Sequence, residues 1–441
     1  MPESLTQRPP SNVASTGSIH DADGFIRDRS NAEVAASQLR TTHQIRARCR
    51  QLLERARAGD SPWFSLDDAA LDDASLLVAD FTRQRHQRRR LPSLSWWRRL
   101  EAGGIDRRGW LSPRLAGLTT GEQAHALIDL TFLGVLLGGH AGRDWRYQEA
   151  QSGRTFMGCE GLAVATFHAF ASGLFSSRAD RPLQADAQAL RAILPAHLAL
   201  AFQSTVPHPL PDLPARALLL RRLGELLEDT PEIFGSPSRP GTLFDLFVGP
   251  YGFAVPPTAD VRAHDILSQL LITLSGLWPP EHELAGVPLG DCWRHPAVHA
   301  DGPSDGWVPF HQLLQWLTYS LIEPFEGAGV TVRQVDALTG LPGRHNASLL
   351  VDTGVLRLKD PAMADARLSP GDEAIVEWRA LTLALLDDLA PRIRARLHLD
   401  AAHSPMGSIL EGGTRAAGQM LANRLRDGRP ALCVEGECLG F

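Results

Sequence analysis

From Asp372 onward, Trp378, Leu381, Leu385, Leu389, Ile393 and Leu397 recur at steps of three or four residues, the spacing that lines one face of an α-helix. Strand faces repeat every second residue, so no strand presents that set to one side. The spacing predicts a helix over 372–398, opened by an Asp cap and kinked at Pro391. Similar runs predict helices over 67–87, 120–138, 158–174, 184–202, 213–228, 260–277, 309–323 and 407–426, after an amphipathic run from Ala32 that Gly59 stops. Strand signal is confined to 330–335, to 348–356 and to a hairpin with its tip at Glu435 and Gly436. The expected fold is therefore mainly α with a minor β element.

Residues 1–34 are rich in Ser, Pro, Asn and Asp without periodicity and read as a flexible leader. Residues 35–441 read as one large helical domain of two lobes, with the break near 230–258. A net charge of −6 gives no global field for nucleic acid or an anionic membrane. Five scattered cysteines do not suggest a disulfide framework, and neither a signal layout nor a membrane span is evident, so a cytoplasmic location is expected.

Two adjoining segments, GVPLGDCWRHP (286–296) and VPFHQLLQWLTYSLIEP (308–324), carry more polar and aromatic groups than a core needs. A helix beginning near Pro309 would align His311, Gln315, Tyr319 and Glu323 on one stripe, opposite Leu313, Leu314, Leu317 and Leu321. Pro324 disfavours helix at Glu323, which places that carboxylate at the helix C-terminus, where the dipole opposes it. The stripe is either a pocket wall with Trp316 or a solvated face with Glu323 in a salt bridge. Cys292, His295, His299 and His311 are metal-type ligands, but Pro296 keeps His295 off a helix shared with His299, and neither metal nor cofactor is expected. The run 83–99 holds seven Arg and two Trp; a solvated helix end accounts for most of the Arg better than a nucleic-acid site. Gly412, Gly413 and Gly418 suggest either close helix packing or an anion-binding helix start at Thr414. Glu377 and Arg379, beside the core-facing Trp378, read as structural.

With DWRYQEAQSGRTF (144–156), EGLAVATFHAF (160–170), AGGIDR (102–107), VDTGVL (351–356), VEWRALTLALLDDLAP (376–391) and EGGT (411–414), these segments resemble the uracil-catabolism family of the ribosylurea route of pyrimidine degradation, from about residue 38 to the C-terminus. The resemblance implies a helical fold akin to queuosine-salvage nucleosidases and helix-hairpin-helix DNA glycosylases. It also implies a pyrimidine-breakdown enzyme that cleaves ribosylurea into urea and ribose. Cleaving an N-ribosidic bond calls for a carboxylate near the anomeric carbon and a donor to the leaving nitrogen. Asp291, Glu160 and Glu323 are the candidate catalytic acids. Trp145, Tyr147, Trp293, Arg294, His295, His311, Gln315, Tyr319, His345, Asn346 and Asp352 are the candidate substrate-binding residues. The expected partner is a small sugar or nucleoside-like molecule, with no nucleic acid and no membrane; oligomeric state is left open.

The chain also departs from the family pattern. That pattern has His near Leu94, Arg near Trp96, His near Arg99, Asp near Gly138, and Glu, Tyr and Arg where this chain has Gly343, Arg344 and His345. Trp96 and Trp97 are expected to close the pocket in place of those polar groups. The losses remove carboxylates and hydrogen-bonding groups, so a diverged, non-catalytic binding or regulatory relative is the alternative.

Overall fold

The computed structural model describes residues 19–86, 91–249, 259–278 and 282–435. Its centre is helix Glu373–Leu397, unbroken through Pro391, in which every residue from Ala374 to Leu386 is buried. A helix enclosed on all sides is a core element, and its neighbours supply the shell. Helix Thr42–Arg57 lies along it, tied by Arg46 to Asp387 and Arg50 to Asp388, each at 3.0 Å; helices Ala70–His86 and Arg344–Asp352 cover other flanks. Asp372 holds the N-cap position, but its carboxylate accepts from the Ser369 amide at 2.7 Å and not from the first turn of the helix.

A second layer contains helices Thr120–Leu136, Gly158–Ala171, Leu213–Asp229, Ala263–Leu274 and Gln312–Gly327. The fold is mainly α. Among the described residues the strands form only two-stranded pairs, among them antiparallel Phe64–Leu66 with Leu356–Leu358 and parallel Asp260–Arg262 with Thr331–Arg333. No helix among the described residues is long and apolar enough to cross a membrane.

Several elements differ from the sequence expectation. Helix Ile19–Leu39 runs through residues read as leader; Ala32, Ala36 and Leu39 pack on Val287, Leu289 and Trp307, while residues 1–18 lie outside the described ones. The expected 184–202 helix is two short ones, Ala187–Arg191 and Pro195–Ala201, because Leu194 before Pro195 is extended. Residues 348–352, expected as strand, end helix Arg344–Asp352, which packs on helix Arg415–Arg426; tertiary contact overrides the β-rich local sequence. Cys433–Val434 pairs in parallel with Arg367–Leu368, and the other arm of the expected hairpin lies outside the described residues, as do residues 250–258 of the expected lobe break.

Candidate functional site

The expected 309–323 helix is displaced. Pro309 belongs to strand Trp307–Pro309, paired antiparallel with Cys292–Arg294, and the helix spans Gln312–Gly327, passing through Pro324. His311, at its N-cap, has a left-handed backbone (φ 50°) and caps nothing with its side chain. Asp291 supplies a cap from across the hairpin: its Oδ2 accepts from the Gln312 amide at 3.0 Å. The same carboxylate accepts from Trp293 Nε1 at 2.7 Å and from both terminal nitrogens of Arg379 at 3.0 and 2.8 Å. Burial would raise the Asp291 carboxyl, but Arg379 and the hydrogen bonds outweigh it and hold it below the usual range.

The polar stripe is interior, not solvated: His311, Gln315 and Tyr319 are all buried. The Thr339 amide donates to Gln315 Oε1 at 3.0 Å, and Tyr319 Oη donates to the Thr339 carbonyl at 3.0 Å. The stripe thus clamps the 338–343 loop to the helix. Both border a cavity of about 150 Å³ whose wall includes Gln312, Leu313 and Trp316 from the helix, Leu341 and Gly343 from the loop, and Arg344, His345 and Asn346 from the next helix.

Leu94, Arg99, Gly138, His140, Cys159, Leu410 and Arg415 complete most of the remaining wall. The Arg99 guanidinium lies over the Trp316 ring, 4.6 Å from its centroid. Arg344 Nη1 donates to His140 Nδ1 at 3.2 Å, which fixes that nitrogen as the acceptor. Asn346 is held by Leu341 and Thr414, each bond 2.9 Å. Leu410 to Thr414 form a π-helical turn between Met406–Ile409 and Arg415–Arg426, and Arg415 Nε bonds Glu411 at 3.2 Å.

Cys159 stands in the first turn of helix Gly158–Ala171. Burial would raise its thiol, but the charges of Arg99 and Arg344, a hydrogen bond from Arg99 and the charge of Arg415 prevail, and its pKa falls below the ordinary value. Burial pushes His345 down to about 3, with Arg344, Arg415 and Arg99 adding to it, and Nε2 of that ring has no hydrogen-bond partner among the described residues. Burial, then Arg344, also lowers His140. The cavity therefore presents a thiol biased towards thiolate, two neutral imidazoles and three guanidinium groups. No Asp or Glu is among the described residues that line it.

Of the residues singled out from sequence, His345 and Asn346 line this cavity, and Gln315 and Tyr319 brace its wall. The three acids do not converge. Glu323 bonds Arg98 at 2.7 Å and opens on a separate groove with Ser93 and Asp336; Glu160, exposed, follows Cys159 and acts on Arg415 by its charge. His295 faces the buried Glu377 at 3.4 Å, Arg294 covers the Trp307 ring at 4.2 Å, and His311 Nε2 lies 3.1 Å from the Leu39 carbonyl. Trp145 Nε1 donates to the Phe202 carbonyl at 2.9 Å and Tyr147 stacks on His168 at 6.1 Å. Asp352 ends its helix in an ion pair with Arg426, in place of the expected position after a strand. Trp96 and Trp97 do not close the cavity but are core residues, Trp96 lying against Gly134 of helix Thr120–Leu136. Glu377 bonds Arg55 at 3.0 Å, and Arg379 bonds Asp291. Among the described residues no group of three or more His, Cys, Asp or Glu is arranged to hold a metal ion.

Sequence reasoning passed over Cys159, His140 and Arg415. The signal available was their position: Cys159 immediately precedes EGLAVATFHAF, Arg415 immediately follows EGGT, and His140 lies two residues after Gly138.

A family model described as "Protein of unknown function (DUF1688)" matches residues 38–438. The chain belongs to this family. Relatives in it include Protein urg3 of Schizosaccharomyces pombe, 33% identical over 405 residues, and Uracil catabolism protein 4 of Lachancea kluyveri, 30% identical over 420 residues. Each alignment covers 88% of this chain and 94% of the relative. The DUF1688 match takes in the whole cavity wall, from Leu94 to Arg415. Of the seven positions expected from the resemblance to depart from the family pattern, Leu94, Arg99, Gly138, Gly343, Arg344 and His345 line the cavity, and Trp96 does not.

Proposed function

We propose that the chain acts in pyrimidine breakdown and that the cavity hydrolyses the N-ribosidic or ureido-sugar bond of a ribosylurea-like small molecule. The carrying observation is the combination, in one small cavity, of a thiol beside three arginines, two imidazoles and hydrogen-bonding amides against the Trp316 wall. The name of the relative from Lachancea kluyveri, a uracil catabolism protein, supports the same field of metabolism.

Departure of the nitrogen leaves positive charge on the sugar, which an anion must meet. Cys159 is the anionic candidate on the wall; water adds at the anomeric carbon as the C–N bond breaks, and neutral His140 can carry the water's proton to the leaving nitrogen, while Asn346 and Gln312 can bind sugar hydroxyls or the ureido group. Of the three acids suggested by sequence, Glu160 adjoins this chemistry and is the candidate acid–base group. Asp291 is a positioning residue, since it fixes the start of the helix that carries Gln312 and Trp316.

Purified protein incubated with ribosylurea and a panel of nucleosides should release free sugar. Neither turnover nor binding with any of them would end this reading. A second reading, a binding or regulatory relative without catalysis, is favoured by the lack of a carboxylate among the described lining residues. It predicts saturable binding of the same compounds with no product.

A further inference from the structure

The three cavity-lining arginines come from separate parts of the chain: Arg99 from the segment after the Trp pair, Arg344 from the start of helix Arg344–Asp352, and Arg415 from the start of helix Arg415–Arg426. Three half-buried guanidinium groups around one cavity concentrate like charge there, which favours a bound anion. Arg415 is paired with Glu411 and Arg99 rests on the Trp316 ring, and no carboxylate is among the described residues that line the cavity itself.

We propose that the cavity is an anion site and that its ligand is a phosphate monoester of a small sugar or ureido-sugar, gripped by Arg99, Arg344 and Arg415. Guanidinium forks match the oxygens of phosphate in pairs, and a monoester carries about −1.5 to −2 at neutral pH, against −1 for a carboxylate and none for a free sugar. The same arginines bear on both titratable groups of the wall: they lower the Cys159 thiol against its burial, and they add to the burial that lowers the His345 imidazole. A volume of about 150 Å³ points to a compact ligand. The proposal shares its site with the proposed hydrolysis but does not need it, because a non-catalytic binder would show the same preference.

Calorimetric titration of the full chain with ribose, ribonate, ribose 5-phosphate and inorganic phosphate compares no charge, carboxylate, phosphate ester and phosphate alone. Ribose 5-phosphate should bind at least tenfold more tightly than ribose and more tightly than ribonate. Arg99→Gln and Arg344→Gln should each weaken it by about tenfold and narrow its preference over ribose. A second readout needs no variant: phosphate should slow alkylation of Cys159 by iodoacetamide, followed by mass spectrometry of its peptide, because a bound anion competes with the thiolate for the arginines. Equal affinity for ribose and ribose 5-phosphate, or unchanged Cys159 alkylation in phosphate, would overturn the proposal. Tight phosphate-ester binding without sugar release from any compound would instead remove the hydrolysis and leave this site standing. Cleavage of ribosylurea with indifference to phosphate would do the reverse.

Discussion

Arg379 grips Asp291 with two hydrogen bonds, Nη1 to Oδ1 at 3.0 Å and Nη2 to Oδ2 at 2.8 Å, and the guanidinium also lies 4.1 Å from the Phe310 ring centroid. Both residues are buried, so neither charge has solvent to fall back on. Asp291→Asn leaves Arg379 charged and half-partnered. It should cost about 3 to 5 kcal/mol in denaturant unfolding. A loss under about 1 kcal/mol would mean that the pair contributes little to the fold and would reopen a chemical role for Asp291.

Cys159 should alkylate faster at neutral pH than an ordinary thiol, because the arginines favour its thiolate, and its rate should persist to lower pH. Arg99→Gln should shift the rate profile upward in pH. Cys49 and Cys292 provide the internal contrast: burial raises both, and they should stay unmodified in the native protein. A Cys159 profile matching that of a free cysteine would show that the arginines do not act on the thiol.

Gly343 and Gly138 should respond differently to a restored carboxylate. A Cβ at Gly343 would meet only Gln312 Nε2, at 3.9 Å, whereas one at Gly138 would lie 2.7 Å from the Gly134 carbonyl and 3.0 Å from Trp316. Gly343→Glu should therefore fold with little change in melting temperature, and Gly138→Asp should destabilise by about 1 to 3 kcal/mol. With an acid on the wall, Gly343→Glu should cleave unphosphorylated ribosylurea faster than the parent. Unchanged rates in a folded variant would show that a missing carboxylate is not what limits the reaction.

Gly418→Ala tests how the wall is held. A Cβ there would press into the His345 carbonyl, a backbone atom that cannot swing away. The variant should lose about 1 to 3 kcal/mol or more and, by displacing Arg344 and His345, weaken ligand binding as well. Loss of neither would contradict the close approach of these two helices.

Stability should fall in acid in two stages. Burial holds His311 at about 4 and His345 at about 3, against 6.5 in the unfolded chain. The unfolded state then takes up protons first, so their contribution is full above pH 6.5 and is lost as pH falls towards 3 to 4. Glu149, held at about 2 despite burial by hydrogen bonds from Arg107, Ser152 and His168, contributes fully above 4.5 and loses that contribution as pH falls through 2. His311→Gln should flatten the first stage in unfolding measurements at successive pH values. An unaltered slope would exclude His311 as its source.

The helices were legible in the sequence wherever period and punctuation agreed, as over 120–136 and 373–397, because an interior face must repeat at helical spacing whatever it packs against. Boundaries decided by distant residues were not. Nothing local to Pro309 and Gln312 announces that the carboxylate of Asp291 starts that helix, and residues 348–352 look like strand until Gly418 is set beside them. The site was half legible for the same reason. His345 and Asn346 stood out through an unusual motif, whereas Cys159 acquires its character from three arginines that fold around it from elsewhere in the chain.

The π-helical turn at Leu410–Thr414 has a consequence for insertions and deletions. In a regular α-helix, residues five apart point about 140° away from each other, so Leu410 and Arg415 could not both border the same space. A turn closed by bonds five residues apart brings them round into line. Removing a single residue from this turn would leave the two residues four apart, about 40° from each other once the turn rewinds to α, so Arg415 would still border the cavity, whereas inserting one would leave them six apart and about 120° from each other. The turn accommodates a shorter chain and not a longer one, because the extra residue it already holds is absorbed without carrying the third arginine off the wall.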